Sequence, residues 1–285
     1  MRKYFLRYFF LLSSVWVFFS PAAYAWNAMG HRIIGEIAYE RLTPAAKTKV
    51  DQLINYLANA YPYSSNFQTA NGWADYIKQD GIRTFDSWHF YNQPYSVDNA
   101  KTYPPAAENL PWAIDQAYNI LKNPAANQFE KAFFLRFLLH FTGDAHQPLH
   151  CINRFSKNFP EGDKGGNLFL TQNKHYSNLH AYWDDGLGLF DERCGFSASK
   201  SRRAKCFAEK ITQDYPQNYF GSKIQNLNPF DWTHESFIIA QTFVYQTPEH
   251  QPLSADYIKK GQQIVAQQTA LAGYRLANML NSLFG

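Results

Sequence analysis

Residues 129–150 read Phe129-Glu130-Lys131-Ala132-Phe133-Phe134-Leu135-Arg136-Phe137-Leu138-Leu139-His140-Phe141-Thr142-Gly143-Asp144-Ala145-His146-Gln147-Pro148-Leu149-His150. Phe129, Ala132, Phe133, Phe134, Leu135, Phe137 and Leu138 are spread almost all round a helical wheel, which predicts a buried helix. His140 and Asp144 stand four residues apart, so their side chains leave the same face one turn apart. Pro148 cannot continue that helix and pushes Gln147 to an extended conformation, so His150 arrives from a turn. A lone buried histidine is ordinarily a hydrogen-bonded core residue, and a lone aspartate beside it a cap or ion-pair partner. Two imidazoles and a carboxylate converging in a dry interior are zinc ligands by type and by spacing.

The chain around this stretch has 285 residues, 18% of them aromatic, enough for a sizeable core. Its start reads as a signal peptide over residues 1–25. Arg2, Lys3 and Arg7 precede an apolar run from Tyr8 to Phe19, and Ala23-Tyr24-Ala25 is a small-x-small cleavage site. A membrane span needs roughly 20 apolar residues, and Ser13, Ser14 and Pro21 interrupt this run. The expectation is an exported protein, periplasmic or secreted, with no membrane anchor in the mature form and Trp26 at its N-terminus. Cleavage removes three of the 27 basic residues and none of the 23 acidic ones, leaving a net charge of +1. That balance excludes a nucleic-acid binder that works by bulk positive charge, so any grip on a polyanion falls to metal ions and local residues.

Helical periodicity recurs along residues 26–285. Helices are expected over about 30–42, from Thr43-Pro44 to Leu57, over 71–78, 109–122, the central stretch, 178–184, 199–213, 229–244 and 254–283. Residues 86–92 read as extended, 153–164 as a polar loop, and 168–170 as a brief strand. With no repeat, low-complexity tract or linker, the mature chain is expected to be one all-α domain. Of its three cysteines, Cys194 and Cys206 flank a short polar segment and form the favoured disulfide. Cys151 is then either a fourth zinc ligand or a small buried thiol.

Nine histidines are present, and several stand near carboxylates. His180 and Asp184 repeat the i, i+4 pair of His140 and Asp144; His31 follows Trp26, and His89 follows Asp75 by a loop. Together with His150 these donors exceed what one tetrahedral zinc needs, and would supply two or three metals if Asp144 bridges. His146 points off the His140–Asp144 face and is expected to be a hydrogen-bond partner behind the ligands. His175, His234 and His250 have no partner at ligand spacing.

Trp26 and His31, Trp73-Ala74-Asp75-Tyr76-Ile77-Lys78, His89-Phe90-Tyr91-Asn92, the stretch from His140 to His150, Gly165-Gly166-Asn167 and Asn178-Leu179-His180-Ala181-Tyr182-Trp183-Asp184 follow one another in that order. In this the sequence resembles the zinc-dependent class I nucleases of the S1/P1 type. Trp232-Thr233-His234-Glu235-Ser236 and residues 270–277 look like later motifs of the same family, so the likeness covers the mature chain. It implies a mainly helical single domain with three zinc ions in a cleft. One zinc would take Asp75, His89, His140 and Asp144; a second His150, His180 and Asp184; a third His31, Asp144 and the amino and carbonyl groups of Trp26. A terminal amine binds metal only when unacylated and unprotonated, so cleavage after Ala25 would be part of building the site.

The implied activity is hydrolysis of single-stranded DNA and RNA to 5′-phosphate products, and of 3′-mononucleotides, by hydroxide that the zincs make available near neutral pH. Asp75 would also orient the attacking water or accept its proton, and Lys78 would neutralise a phosphate oxygen. Phe90 would stack on a base, and Asn92 and Asn167 would bind its edge. Fungal members carry aspartate at the position of Asn92, and the loop 153–164 is longer here than expected for the family. No stable protein partner is implied, and a monomer is expected. Two other readings use the same donors: a zinc phospholipase C, which usually has glutamate at the position of Asp184, and a secreted zinc-binding protein without catalysis.

Overall fold

The computed structural model describes residues 26–173, 175–192, 194 and 199–285; the expected signal peptide lies outside the described residues. In chain order the helices are α1 (Ala28–Tyr39), α2 (Pro44–Tyr56), α3 (Phe67–Ala70), α4 (Trp73–Gln79), α5 (Leu110–Lys122), α6 (Gln128–Asp144), α7 (Leu179–Asp184), α8 (Lys200–Asp214), α9 (Gln217–Phe220), α10 (Pro229–Ile239) and α11 (Ala255–Phe284). The expected all-α domain is what forms, with α6 at its centre. Every residue of α6 from Leu135 to Asp144 is buried, beneath α1, α2, α4, α5 and α11. Its start is set by a reciprocal cap: Asn127 accepts from the Glu130 N–H, and the Glu130 carboxylate accepts from that of Asn127.

Two local arrangements carry α6 into the site. A Cβ on Gly143 would lie 2.9 Å from the His31 ring, so only glycine lets α1 come this close. His31 then stacks on His140 with ring centroids 4.0 Å apart. On the opposite flank, Phe85 and Trp88 pack on Phe137 at 4.9 and 5.5 Å. Aromatic pairs of this kind add about 0.5–1.5 kcal/mol each, which fastens the short turn that carries His89.

Three sequence expectations are corrected. Residues 86–92 are not extended throughout: Asp86–His89 is a 3₁₀ turn, and only Phe90 onward is extended, because the aromatics pack sideways onto α6 instead of alternating. The polar loop begins later than residue 153, since β2 (Ile152–Phe155) pairs in parallel with β1 (Gln93–Ser96), Gln93 opposite Ile152. Residues 168–170 form only an isolated bridge, Leu170 to Asn178. Cys194 and Cys206 form the disulfide, with Cα atoms 5.7 Å apart. No helix among the described residues is long and apolar enough to cross a membrane.

Candidate metal centre

α6 ends with His140 and Asp144 facing α1, the Asp86–His89 turn and α4. The Asp144 carboxylate receives three imidazoles: His31 Nε2 at 3.4 Å on Oδ1, and His89 Nδ1 at 3.0 Å and His140 Nε2 at 3.3 Å on Oδ2. Asp75 Oδ1, from α4, lies 3.7 Å from His140 Nε2 and 3.8 Å from His89 Nδ1. After Gln147 takes an extended conformation, a 3₁₀ turn delivers His150. There His150 Nε2 meets Asp184 Oδ1 at 3.7 Å, and His180 Nε2 meets Oδ2 at 3.3 Å. Donor atoms thus gather into three buried groups: His31–His140–Asp144, Asp75–His89–His140 and His150–His180–Asp184.

Hydrogen bonds on the outer side of the rings set which nitrogen faces inward. His140 Nδ1 is held by Asn71 O at 2.7 Å, His150 Nδ1 by His89 O at 2.7 Å, and His180 Nδ1 by Gly165 O at 2.6 Å. Each therefore turns Nε2, with its lone pair, toward a carboxylate. Gly165 has φ +62°, and a Cβ there would strike Leu149 O at 2.3 Å, so the carbonyl that orients His180 depends on glycine. Both nitrogens of His31, Nε2 of His150 and His180, and Oδ1 of Asp144 are buried with no hydrogen-bond partner. Orphaned donors this numerous are costly unless a cation takes their lone pairs, so the residues fit metal ions.

The charge states agree. Burial opposes ionisation of Asp144, yet His140, with the His31 and His89 rings close beside it, holds it well below the usual carboxylate range. His89 is pushed down to about 3, by burial first and by Lys78 next. Burial likewise lowers His31 and His180. His140 and His150 differ: against burial, Asp144 and Asp75 raise His140, and Asp184 and Asp144 carry His150 up to about 9, so there a metal competes with a proton.

Lys78 lies one turn beyond Asp75 on α4, and its Nζ donates to Asp75 Oδ1 at 2.9 Å with both side chains almost wholly buried. It lines a cavity of about 460 Å³ together with Phe90, Asn92, Asn167 and the edges of His89 and His150. The structure thus brings Lys78 and the three residues expected to bind the base, Phe90, Asn92 and Asn167, to one cleft beside the candidate metal groups. A second cavity, of about 330 Å³, opens on the other side of His180 and reaches Asp75, Asp184, Tyr176, Asn27 and Ala28. Trp26 is fully buried against α6, its indole Nε1 donating to Gly143 O at 3.0 Å. The next residue, Asn27, caps α1 and donates its N–H to Asp184 O at 2.7 Å.

Gln147 was missed by sequence reasoning. It is fully buried, donates from Nε2 to Asp184 Oδ1 at 2.6 Å, and accepts the Leu149 N–H at Oε1, also at 2.6 Å. The extended conformation before Pro148 was the available signal: it throws this side chain off the helix toward α7. His146, expected in that supporting role, instead receives Arg275 Nη1 on Nε2 at 3.0 Å, because Nδ1 is bound to Thr142 O. Cys151 stays outside the three groups; its buried thiol faces Ala145 O at 3.6 Å, and burial pushes its pKa up. His175, His234 and His250 are exposed.

Sequence comparison agrees with this geometry. Residues 26–285 match the S1/P1 nuclease family profile. Nuclease S1 of Aspergillus oryzae is 25% identical, the alignment covering 95% of this chain and 96% of that protein. Endonuclease 2 of Arabidopsis thaliana is 25% identical over 96% of each chain, and nuclease P1 of Penicillium citrinum 23% identical over 91% of this chain and 98% of its own. These relatives are nucleases by name, which sets the phospholipase reading aside. With the profile running the whole length that folds around the three donor groups, the chain belongs to the S1/P1 nuclease family.

Proposed function

We propose that this nuclease is an exported enzyme that holds three zinc ions, cuts single-stranded DNA and RNA to 5′-phosphate products and releases phosphate from 3′-mononucleotides. The observation that carries the reading is the convergence of buried, unpartnered ring nitrogens on Asp144 and Asp184 beside a cleft that holds a cation and an aromatic ring. Zinc held by Asp75, His89, His140 and Asp144, by His150, His180 and Asp184, and by His31, Asp144 and the Trp26 terminus would supply Lewis acidity and water that ionises near neutral pH. Burial of Trp26 and the anchoring of Asn27 on Asp184 support a mature terminus beside Asp144, as does a family match that begins at Trp26.

The chain's own groups then do the rest. Asp75 holds Lys78 in the cleft, where the ammonium balances charge developing on a phosphate oxygen. Asp75 would also accept the proton of the attacking water. Phe90, half-buried in the cleft wall, offers a face on which a base stacks, and Asn92 and Asn167 offer donors and acceptors to its edge. A duplex keeps its bases stacked on one another, so that platform favours unpaired strands.

The test is protein purified from an exporting host, sequenced at its N-terminus and assayed for metal. Trp26 should be first, and zinc should be bound. Single strands should yield acid-soluble 5′-nucleotides faster than duplex does, with activity lost to a chelator and restored by zinc. Lys78→Met should lower turnover by about 10²-fold without loss of zinc. Retention of full zinc content and full activity by a form with residues left ahead of Trp26 would overturn the terminal-amine site; zinc bound without phosphodiester hydrolysis would overturn the enzyme reading.

A further inference from the structure

A third cleft, of about 250 Å³, lies beyond the smaller of the two cavities at the metal centre and shares Asn27 and Ala28 with it as a common rim. Arg32 from α1 and Lys200 and Arg203 from α8 line it, against the single carboxylate of Asp191 among the described residues. Mature composition does not account for this, since cations and acids nearly balance over residues 26–285. Helix stability does not account for it either. The first turn of α8 carries Lys200 and Arg203 and no acid, although carboxylates are what stabilise that end of a helix. Arg32, half-buried, and Lys200 make no ion pair or hydrogen bond among the described residues. Arg203 is steadied by a 2.7 Å bond from Nη2 to Phe190 O. Asp191, the acid of the cleft, is exposed, and neighbouring Asp185 is held by Asn27 and Tyr176.

We propose that this cleft anchors the sugar–phosphate backbone of the strand being cut. A single strand with a nucleotide in the Phe90 cleft and its scissile phosphate at the metal groups continues through the second cavity and over the Asn27–Ala28 rim. A phosphate distant from the scissile bond then sits among Arg32, Lys200 and Arg203. The cleft thereby separates two substrates of one active site. A polynucleotide reaches it, whereas a 3′-mononucleotide ends at the phosphate under attack and does not. The inference rests on the nuclease reading given above.

The test compares wild type with Arg32→Gln/Lys200→Gln on a single-stranded oligonucleotide of about 20 nucleotides and on a 3′-mononucleotide, at several salt concentrations. Removing two of the three cations around that phosphate should lower kcat/KM on the oligonucleotide by about fivefold at low salt and flatten its log–log salt dependence by up to roughly 0.7. Hydrolysis of the mononucleotide should keep its wild-type kcat/KM. Lys200→Glu, on an exposed side chain, gives the same contrast without disturbing the half-buried Arg32. An equal loss on both substrates, or an unchanged salt slope on the oligonucleotide, would overturn the anchoring cleft. If wild-type protein hydrolyses neither substrate, it is the nuclease reading that falls.

Discussion

Two histidine–aspartate pairs in this molecule are locally alike and differently supported. His140–Asp144 on α6 and His180–Asp184 on α7 both sit at i, i+4, and both bring Nε2 within 3.3 Å of Oδ2. α6 has 17 residues and lies in the core; α7 has 6 and lies at a cavity wall. The first pair is therefore fixed by packing along a whole helix. The second is held by separate outside bonds: the Asn178 cap, Gly165 O on His180, Gln147 on Asp184, and the Asn27 N–H on the Asp184 carbonyl. Spacing makes a ligand pair possible, and what surrounds the helix decides how firmly it is held and what else depends on it.

The widest gap between the pairs concerns sharing. Asp144 is met by three imidazoles from three elements, whereas Asp184 is met by two. Asp144→Asn should empty both groups that converge on it and lower kcat/KM by more than about 10⁴-fold, while Asp184→Asn should empty one group and cost about 10²–10³-fold. Metal analysis alongside nucleotide release measures both. Equal metal loss in the two variants would show that the groups act as one unit, and the comparison would break there.

A smaller effect isolates the outside support. Gln147→Leu leaves every candidate ligand in place and removes the 2.6 Å bond that orients Asp184 Oδ1 together with the cap on the Leu149 N–H before His150. Metal affinity at the His150–His180–Asp184 group should fall about 10–100-fold, with the Asp75–His89–His140 group unaffected. Competition with a graded chelator reads the two separately. Uniform weakening at all groups would mean that Gln147 acts through the fold at large.

The difference between the pairs also marks how far the sequence could be read. α6 was legible because one long apolar run, the His140–Asp144 spacing and Pro148 all speak about the same local segment. The i, i+4 spacing exposed α7 even though it is short. What surrounds α7 was not legible. Gln147 and Asp184 are 37 residues apart, and His146 and Arg275 are 129 apart, so tertiary approach alone decides which of two adjacent side chains serves the ligands. His31 and His89 have no helical carboxylate partner; their nearness to Trp26 and Asp75 along the chain made them candidate donors, and the family resemblance, not periodicity, assigned them to particular metals. The β1–β2 ribbon escaped notice because Gln93-Pro94-Tyr95-Ser96 has no apolar alternation and pairs across a long stretch of chain. The cationic cleft is invisible for the same reason, since α1 and the start of α8 meet only in the folded chain.

The finest test uses the two caps. Asn127 and Asn178 each accept a backbone N–H in the first turn of their helices, at 2.9 and 2.8 Å. Replacing such a cap by alanine costs about 1 kcal/mol of helix stability wherever it stands. In Asn127→Ala the cost enters a helix that unfolds only with the core, so it should appear as a Tm lower by roughly 2–4 °C, with zinc affinity unchanged. In Asn178→Ala it enters a short helix that can open locally without the core, and the same 1 kcal/mol should appear as about fivefold weaker zinc at His180 and Asp184, with little change in Tm. Asn178 also lines both cavities at the site, so Tm and metal affinity, not turnover, are the proper readouts. Should both variants lower Tm alike and leave zinc untouched, α7 would be part of the same cooperative unit as α6, and the outside bonds would have to be read as packing rather than as the support of a separate ligand pair.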